Sequence, residues 1–259
     1  MSVADDIVAR RHPDPHAYLG AHHENGHVVV RAYRPEATSV SLRTGGATVP
    51  MQRAHPGGLF EGIVDGELPL RYELDVVYPD GNTFTLHDPY AFGPTIGDLD
   101  LHLAGEGRHE ELYGRLGAHV RELEGVAGVS FAVWAPAAQA VSVVGDFNSW
   151  DGRLHAMRTM GSSGIWELFI PGVQAGQRYK FEILTQAGDL RLKADPYAFE
   201  AEHPPETSSI VNRTDYEWGD GDWLQTRAQA MQQREPISIY EVHLGSWRLN
   251  PLEDNRSLT

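Results

Sequence analysis

Two groups of side chains in this sequence are of types that suggest chemistry at first sight. His22, His23 and His27 stand close together, and three imidazoles invite a metal-site reading. They carry no evident carboxylate orienter and run into a β-branched segment rather than a helix, so turn residues ahead of the Val28-Val-Val30 strand are the better reading. Asp88 and Asp195 each open a repeated Asp-Pro-Tyr-Ala-Phe. An aspartate in that setting favours a turn closed by its own side chain, and its recurrence points to structure rather than catalysis. The sequence has no cysteine, which removes disulfides and thiolate metal ligands. No metal and no cofactor are expected.

Charge narrows the partners. Lys and Arg number 21 against 36 Asp and Glu, a net charge of −15. That sign repels phosphate backbones, so nucleic acid and anionic membranes are poor partners. An uncharged polymer carries no such penalty. With 41% hydrophobic residues, a chain of 259 can bury the cores of two ordinary domains. No apolar run approaches the roughly 18 residues of a membrane span. Met1 to Arg11 lacks the apolar segment of a secretory signal, and the expected setting is cytoplasmic.

The elements that must position any site are read from an internal repeat. Leu19-Gly-Ala-His22 recurs at 116–119, and Pro35 with Ser39-Val-Ser-Leu42 recurs as Pro136 with Ala140-Val-Ser-Val143. Arg71-Tyr72 recurs as Arg178-Tyr179, ahead of the two Asp-Pro-Tyr-Ala-Phe segments. Order is kept while spacing grows, which indicates two copies of one domain. His27–Tyr33, Val129–Trp134, Tyr72–Tyr78 and Tyr179–Leu184 are rich in β-branched and aromatic residues or alternate with period two. Short strands at this spacing predict two tandem immunoglobulin-like β-sandwiches. The predicted domains are 1–105, 106–222 and a segment 223–259. Helices are expected at Ala4–Arg11, at Arg108–Leu116 between the copies, and at Trp223–Arg234. Ile237 to Leu244 is a nearly continuous apolar run, as in a strand buried on both faces of a parallel sheet. It predicts the first strand of a truncated (β/α)8 barrel, which needs roughly 200 or more residues in full. An additional strand of the second sandwich is the alternative.

Tyr240-Glu-Val-His-Leu-Gly-Ser-Trp-Arg248 resembles the first barrel strand of bacterial 1,4-α-glucan branching enzymes, in the α-amylase superfamily. Phe131-Ala-Val-Trp-Ala-Pro136, Val144-Gly-Asp-Phe-Asn-Ser-Trp150, Tyr179-Lys-Phe181 and Lys193-Ala-Asp-Pro-Tyr-Ala198 are similar to the family's isoamylase-type glycogen-binding module. Residues 88–92 and 100–103 are similar to the additional N-terminal module of its long forms. The resemblance implies a retaining carboxylate pair that cuts an α-1,4 chain and passes it to a sugar hydroxyl as an α-1,6 branch. Those carboxylates are expected beyond Thr259, so no catalytic residue is assigned within the chain. It also implies α-glucan (glycogen, amylose, malto-oligosaccharides) and the chain's own barrel as partners. Trp150 and Lys180, with Asn148 third, match glucan-contacting positions: an aromatic face covers a pyranose while amines and amides bond its hydroxyls. A second binding tryptophan is replaced near Leu192, and a late asparagine near Ser209. Two readings of the group stand, a sugar platform, or a hairpin in which Trp150 packs on Phe147 and Lys180 is solvated. A stand-alone glycan-binding or protein-interaction pair without enzymatic role is the alternative function.

Overall fold

The structure is a computed structural model that describes residues 2–213, 216–227 and 238–257. It divides into two compact units, residues 1–213 and 214–259. The larger unit is mainly β and holds two antiparallel sandwiches, as the alternating sequence requires. The first is built from β1 (Gly20–Glu24), β2 (His27–Tyr33), β3 (Ser39–Thr44), β4 (Ala47–Pro50), β5 (Gln52–His55), β6 (Leu59–Val64), β7 (Glu73–Val77) and β8 (Thr83–His87). Its sheets run β1-β2-β6-β5 and β4-β3-β7-β8. Val28, Val30, Ala32, Val40, Leu42, Leu74 and Val76 alternate into the space between them and are buried.

The second sandwich repeats the plan with β9 (Gly117–Leu123), β10 (Val126–Trp134), β11 (Ala138–Gly145), β12 (Arg158–Thr159), β13 (Ile165–Pro171), β14 (Arg178–Thr185), β15 (Leu190–Lys193), β16 (Glu200–Ala201) and β17 (Ser209–Ile210). One sheet runs β12-β13-β10-β9 and the other β11-β14-β17-β16, with β15 against β14. Phe131, Val143, Leu168, Tyr179 and Phe181 fill its core.

The repeated motifs, scattered in sequence, meet at one place in each sandwich. The Tyr72 hydroxyl donates to Asp88 Oδ2 at 2.7 Å, and the Tyr179 hydroxyl to Asp195 Oδ2 at 2.6 Å. The other oxygen of each aspartate accepts the backbone N–H two residues on, from Tyr90 at 3.2 Å and Tyr197 at 2.8 Å. These are the expected turns, with a buried tyrosine added. Gly20 and Gly117 lie at φ +87° and +100°, where a Cβ would run into the carbonyl oxygens of Tyr90 and Tyr197. Burial pushes both aspartates above the ordinary carboxylate range and both tyrosines upward too. Tyr179→Phe leaves a buried carboxylate short of a donor and is expected to cost about 1.5–3 kcal/mol in urea unfolding. A loss under about 0.5 kcal/mol would show that the pair is dispensable.

The two sandwiches are fused rather than strung. Ile7, Leu19, Tyr33, Leu59 and Tyr90 from the first half join the core of the second. The Tyr90 hydroxyl lies 3.2 Å from the Ala156 carbonyl and 3.1 Å from its N–H, and the Phe92 and Phe169 rings meet edge to face at 4.9 Å. Thr159 N–H donates to the Pro13 carbonyl at 2.9 Å, and Arg10 pairs with Glu182. Thr95 caps the fully buried Glu167, which also pairs with Arg158.

Three expectations change. The N-terminal helix is shorter, α1 (Val3–Val8), closed by a reciprocal cap between Ser2 and Asp5. The connecting helix is not at 108–116 but at α2 (Asp98–Gly105), where Asp98 and Asp100 favour the positive end of a helix. Residues 108–116 keep only a 3-10 turn at Leu112–Gly114, because Asp100 ties His109 and Arg115 back, each at 2.9 Å. In the smaller unit, α3 (Gly221–Arg227) begins the third expected helix, and residues 228–234 lie outside the described residues. Residues 238–243 are not a strand, and Leu244–Trp247 forms a single turn, α4. A parallel strand takes its hydrogen bonds from strands on either side, and among the described residues none pairs with this segment. Ile237 lies outside the described residues. No helix among them is long and apolar enough to cross a membrane.

Candidate functional site

The site is assembled where β11 ends. Gly145 has its would-be Cβ against the Arg178 carbonyl oxygen and 2.7 Å from the Phe147 ring, so only glycine lets the chain turn there. A 3-10 turn over Asp146–Asn148 follows, then Ser149 and Trp150 at φ +54° and +61°. Two consecutive left-handed residues that are not glycine are strained and persist only where their surroundings fix them. Here Trp150 N–H donates to the Gly145 carbonyl at 3.0 Å, and its side chain lies near the Asp146 carboxylate. Arg178 grips that carboxylate through Nε at 3.0 Å, Nη2 at 3.0 Å and its own N–H at 2.9 Å, and holds Asp146 below the usual carboxylate range. Trp150 is 36% exposed on this clamp.

Asn148 goes the other way. It is 5% exposed, accepts from Gly145 N–H at 2.9 Å, donates to the Val143 carbonyl at 2.9 Å and meets His155 Nδ1 at 2.8 Å. Its amide is spent on the turn, so it supports the platform from beneath. Phe147 also turns inward, its ring 5.8 Å from Phe131 and 5.7 Å from His155.

Lys180 stands opposite Val144 on β14, between the inward Tyr179 and Phe181, and so points to the outer face of the sheet. Its Nζ donates to Thr207 Oγ1 at 2.7 Å. Glu182 shares that face, pairs with Leu192 on β15, and touches Gly152, two residues past Trp150. The outer face thus carries Lys180 and Leu192, the latter 55% exposed, beneath the loop that holds Trp150. Ser209 does not join them: it is buried and its Oγ accepts from Asp195 N–H at 2.9 Å.

Sequence reasoning missed Asp146, Arg178 and Thr207. Asp146 lies inside the quoted motif and Arg178 inside a repeated pair, but a clamp across two strands leaves no local signal. His22 Nε2 donates to the Leu19 carbonyl at 2.9 Å, and His119 repeats this with Leu116 at 2.9 Å. His27 faces Asp65 at the surface. No group of three or more metal-ligating side chains occurs among the described residues.

Comparison with known proteins finds matches in both sandwiches. Residues 2–90 match the N-terminal domain of alpha-1,4-glucan branching enzyme GlgB, and residues 115–198 match carbohydrate-binding module 48, the isoamylase N-terminal domain. The 1,4-alpha-glucan branching enzyme GlgB of Myxococcus xanthus (strain DK1622) is 53% identical over 259 residues, 98% of this chain and 35% of the relative. Over nearly its whole length this chain is similar to an N-terminal part of glycogen branching enzymes. The branching enzyme of Paramagnetospirillum magneticum (strain ATCC 700264 / AMB-1) is 49% identical, with 100% of this chain and 35% of the relative covered. The chain therefore spans about a third of the length of the curated branching enzymes it matches. Among solved structures, pullulanase type I from Bacillus subtilis str. 168, complexed with maltose, aligns at a TM-score of 0.34 and 18% identity, over 77% of this chain and 27% of that one.

Proposed function

We propose that this chain is the glucan-positioning, non-catalytic front of a 1,4-α-glucan branching enzyme, an enzyme that cuts an α-1,4 chain and rejoins it as an α-1,6 branch in glycogen. In this reading residues 1–105 and 106–222 are its two modules, and 223–259 leads into the catalytic barrel that carries the reacting carboxylates. Its partners are glycogen, amylose or malto-oligosaccharides and that barrel, and the cysteine-free chain fits a cytoplasmic setting. The observation that carries the sugar assignment is Trp150, a part-exposed aromatic face held in a strained turn. Lys180 with Thr207 supplies donors for hydroxyls, and Leu192 supplies apolar surface where an aromatic is missing.

One platform with one cation gives modest affinity, around millimolar to high micromolar, roughly −4 to −6 kcal/mol. Titration of maltoheptaose by NMR is expected to show Trp150→Ala losing about 1.5 kcal/mol or more, over tenfold. Lys180→Ala should lose about 0.5–1.5 kcal/mol. Unchanged affinity in folded Trp150→Ala would place the sugar elsewhere, and no binding by the parent chain would leave the module as a brace.

A further inference from the structure

Arg34, just past β2, is 5% exposed, yet its guanidinium makes no hydrogen bond or ion pair with any described residue, and its Nε is buried without a partner. A buried cation lacking acceptors is among the costliest arrangements a fold can hold. Asp88 offers opposite charge nearby, but its oxygens accept from the Tyr72 hydroxyl and Tyr90 N–H and make no hydrogen bond to Arg34. The repeated frame does not demand an arginine either, because Ala135 holds the equivalent place before Pro136 in the second copy.

Arg34 lines a cleft of about 380 Å³ between the two sandwiches. Tyr78 and His87 from the first module and Leu154, His155 and Gln177 from the second share its walls. That size is within the range of small-molecule pockets, and the mix of apolar and hydrogen-bonding groups suits an organic body with one charged end. We propose that the cleft binds a small phosphorylated metabolite, its phosphate seated on the Arg34 guanidinium. A guanidinium fork matches two phosphate oxygens at once. The net charge of −15 opposes any anion from a distance, so affinity is expected in the millimolar range. The cleft shares Phe147 and His155 with the underside of the Trp150 turn but does not include Trp150 or Lys180.

The test is a melting series on the whole chain at constant ionic strength, with sodium chloride exchanged for inorganic phosphate or for glucose 1-phosphate. At ten times the dissociation constant, glucose 1-phosphate is expected to raise the melting temperature by about 3–6 °C, saturably, and by more than inorganic phosphate does. Arg34→Met should lose that rise, read against its own melting point without ligand, because the change also takes the Arg34 charge away from buried Asp88. Leu154→Trp, which fills the cleft from the opposite wall, should lose it too and serves alone if Arg34→Met does not fold. Equal rises in parent and variants would mean general exclusion of phosphate from protein surface and would overturn the site. Equal saturable rises with both ligands, lost in the variants, would overturn the metabolite and leave inorganic phosphate as the occupant.

Discussion

Glu167→Ala is expected to destabilise the 1–213 unit by about 3–5 kcal/mol, the range for removing one partner of a buried ion pair. Glu167 sits on β13 with no exposure, and its carboxylate is satisfied on both sides. One oxygen pairs with Arg158, and the other accepts from Thr95 N–H at 3.1 Å and Thr95 Oγ1 at 2.8 Å. Alanine strands the Arg158 guanidinium, whose side chain is only 12% exposed, and frees the segment that ends the first sandwich. A melting-temperature drop of about 10 °C should accompany the loss. Glu167→Gln keeps an acceptor for Thr95 and should fall between the two. If urea unfolding shows Glu167→Ala within about 1 kcal/mol of the parent, the junction does not depend on this pair.

The second large effect is acid sensitivity. Burial, reinforced by the Arg34 charge, pushes His155 down to about 3 from 6.5. Burial, reinforced by Arg158, pushes His16 down to about 2. Both values are depressed on folding, so between pH 6.5 and about 3 the unfolded chain binds protons that the folded chain excludes. Stability is therefore full above pH 6.5 and falls as pH drops. At pH 5 the cost is about 2 kcal/mol for each histidine, or about 4 kcal/mol together. Asp88 and Asp195, raised by burial, act in the opposite direction, but only once the pH falls far enough to protonate them. Urea midpoints should thus fall steadily from pH 7.5 to 5, and His155→Gln should flatten the slope. Identical midpoints at pH 7 and 5 would show that these imidazoles are not buried neutral in solution.

Much of the frame was legible from sequence. Period-two alternation in Ser39-Val-Ser-Leu42 and Ala140-Val-Ser-Val143 specified half-buried strands, because a strand sends successive side chains to opposite faces whatever surrounds it. Turn chemistry specified the Asx closures at Asp88 and Asp195, and the repeat specified two sandwiches. Trp150 and Lys180 were visible as residue types inside recognisable motifs. Their surroundings were not. Asn148 has the same identity whether it faces a sugar or the core, and only the pairing of β11 with β14 turned its amide inward. The docking of the two sandwiches through Tyr90, Thr95 and Glu167 joins residues 66 to 72 positions apart, beyond any local pattern. The run at 238–243 shows the opposite failure: its apolar pattern reads as a strand, but a strand exists only when neighbours bond it. Sequence by itself determined the elements and the repeat, because these follow from each residue's own sterics and polarity. Tertiary structure decided which polar groups face inward, how the modules lock together and where, among the described residues, a guanidinium nitrogen is buried without a partner, because those depend on surfaces that meet only after folding.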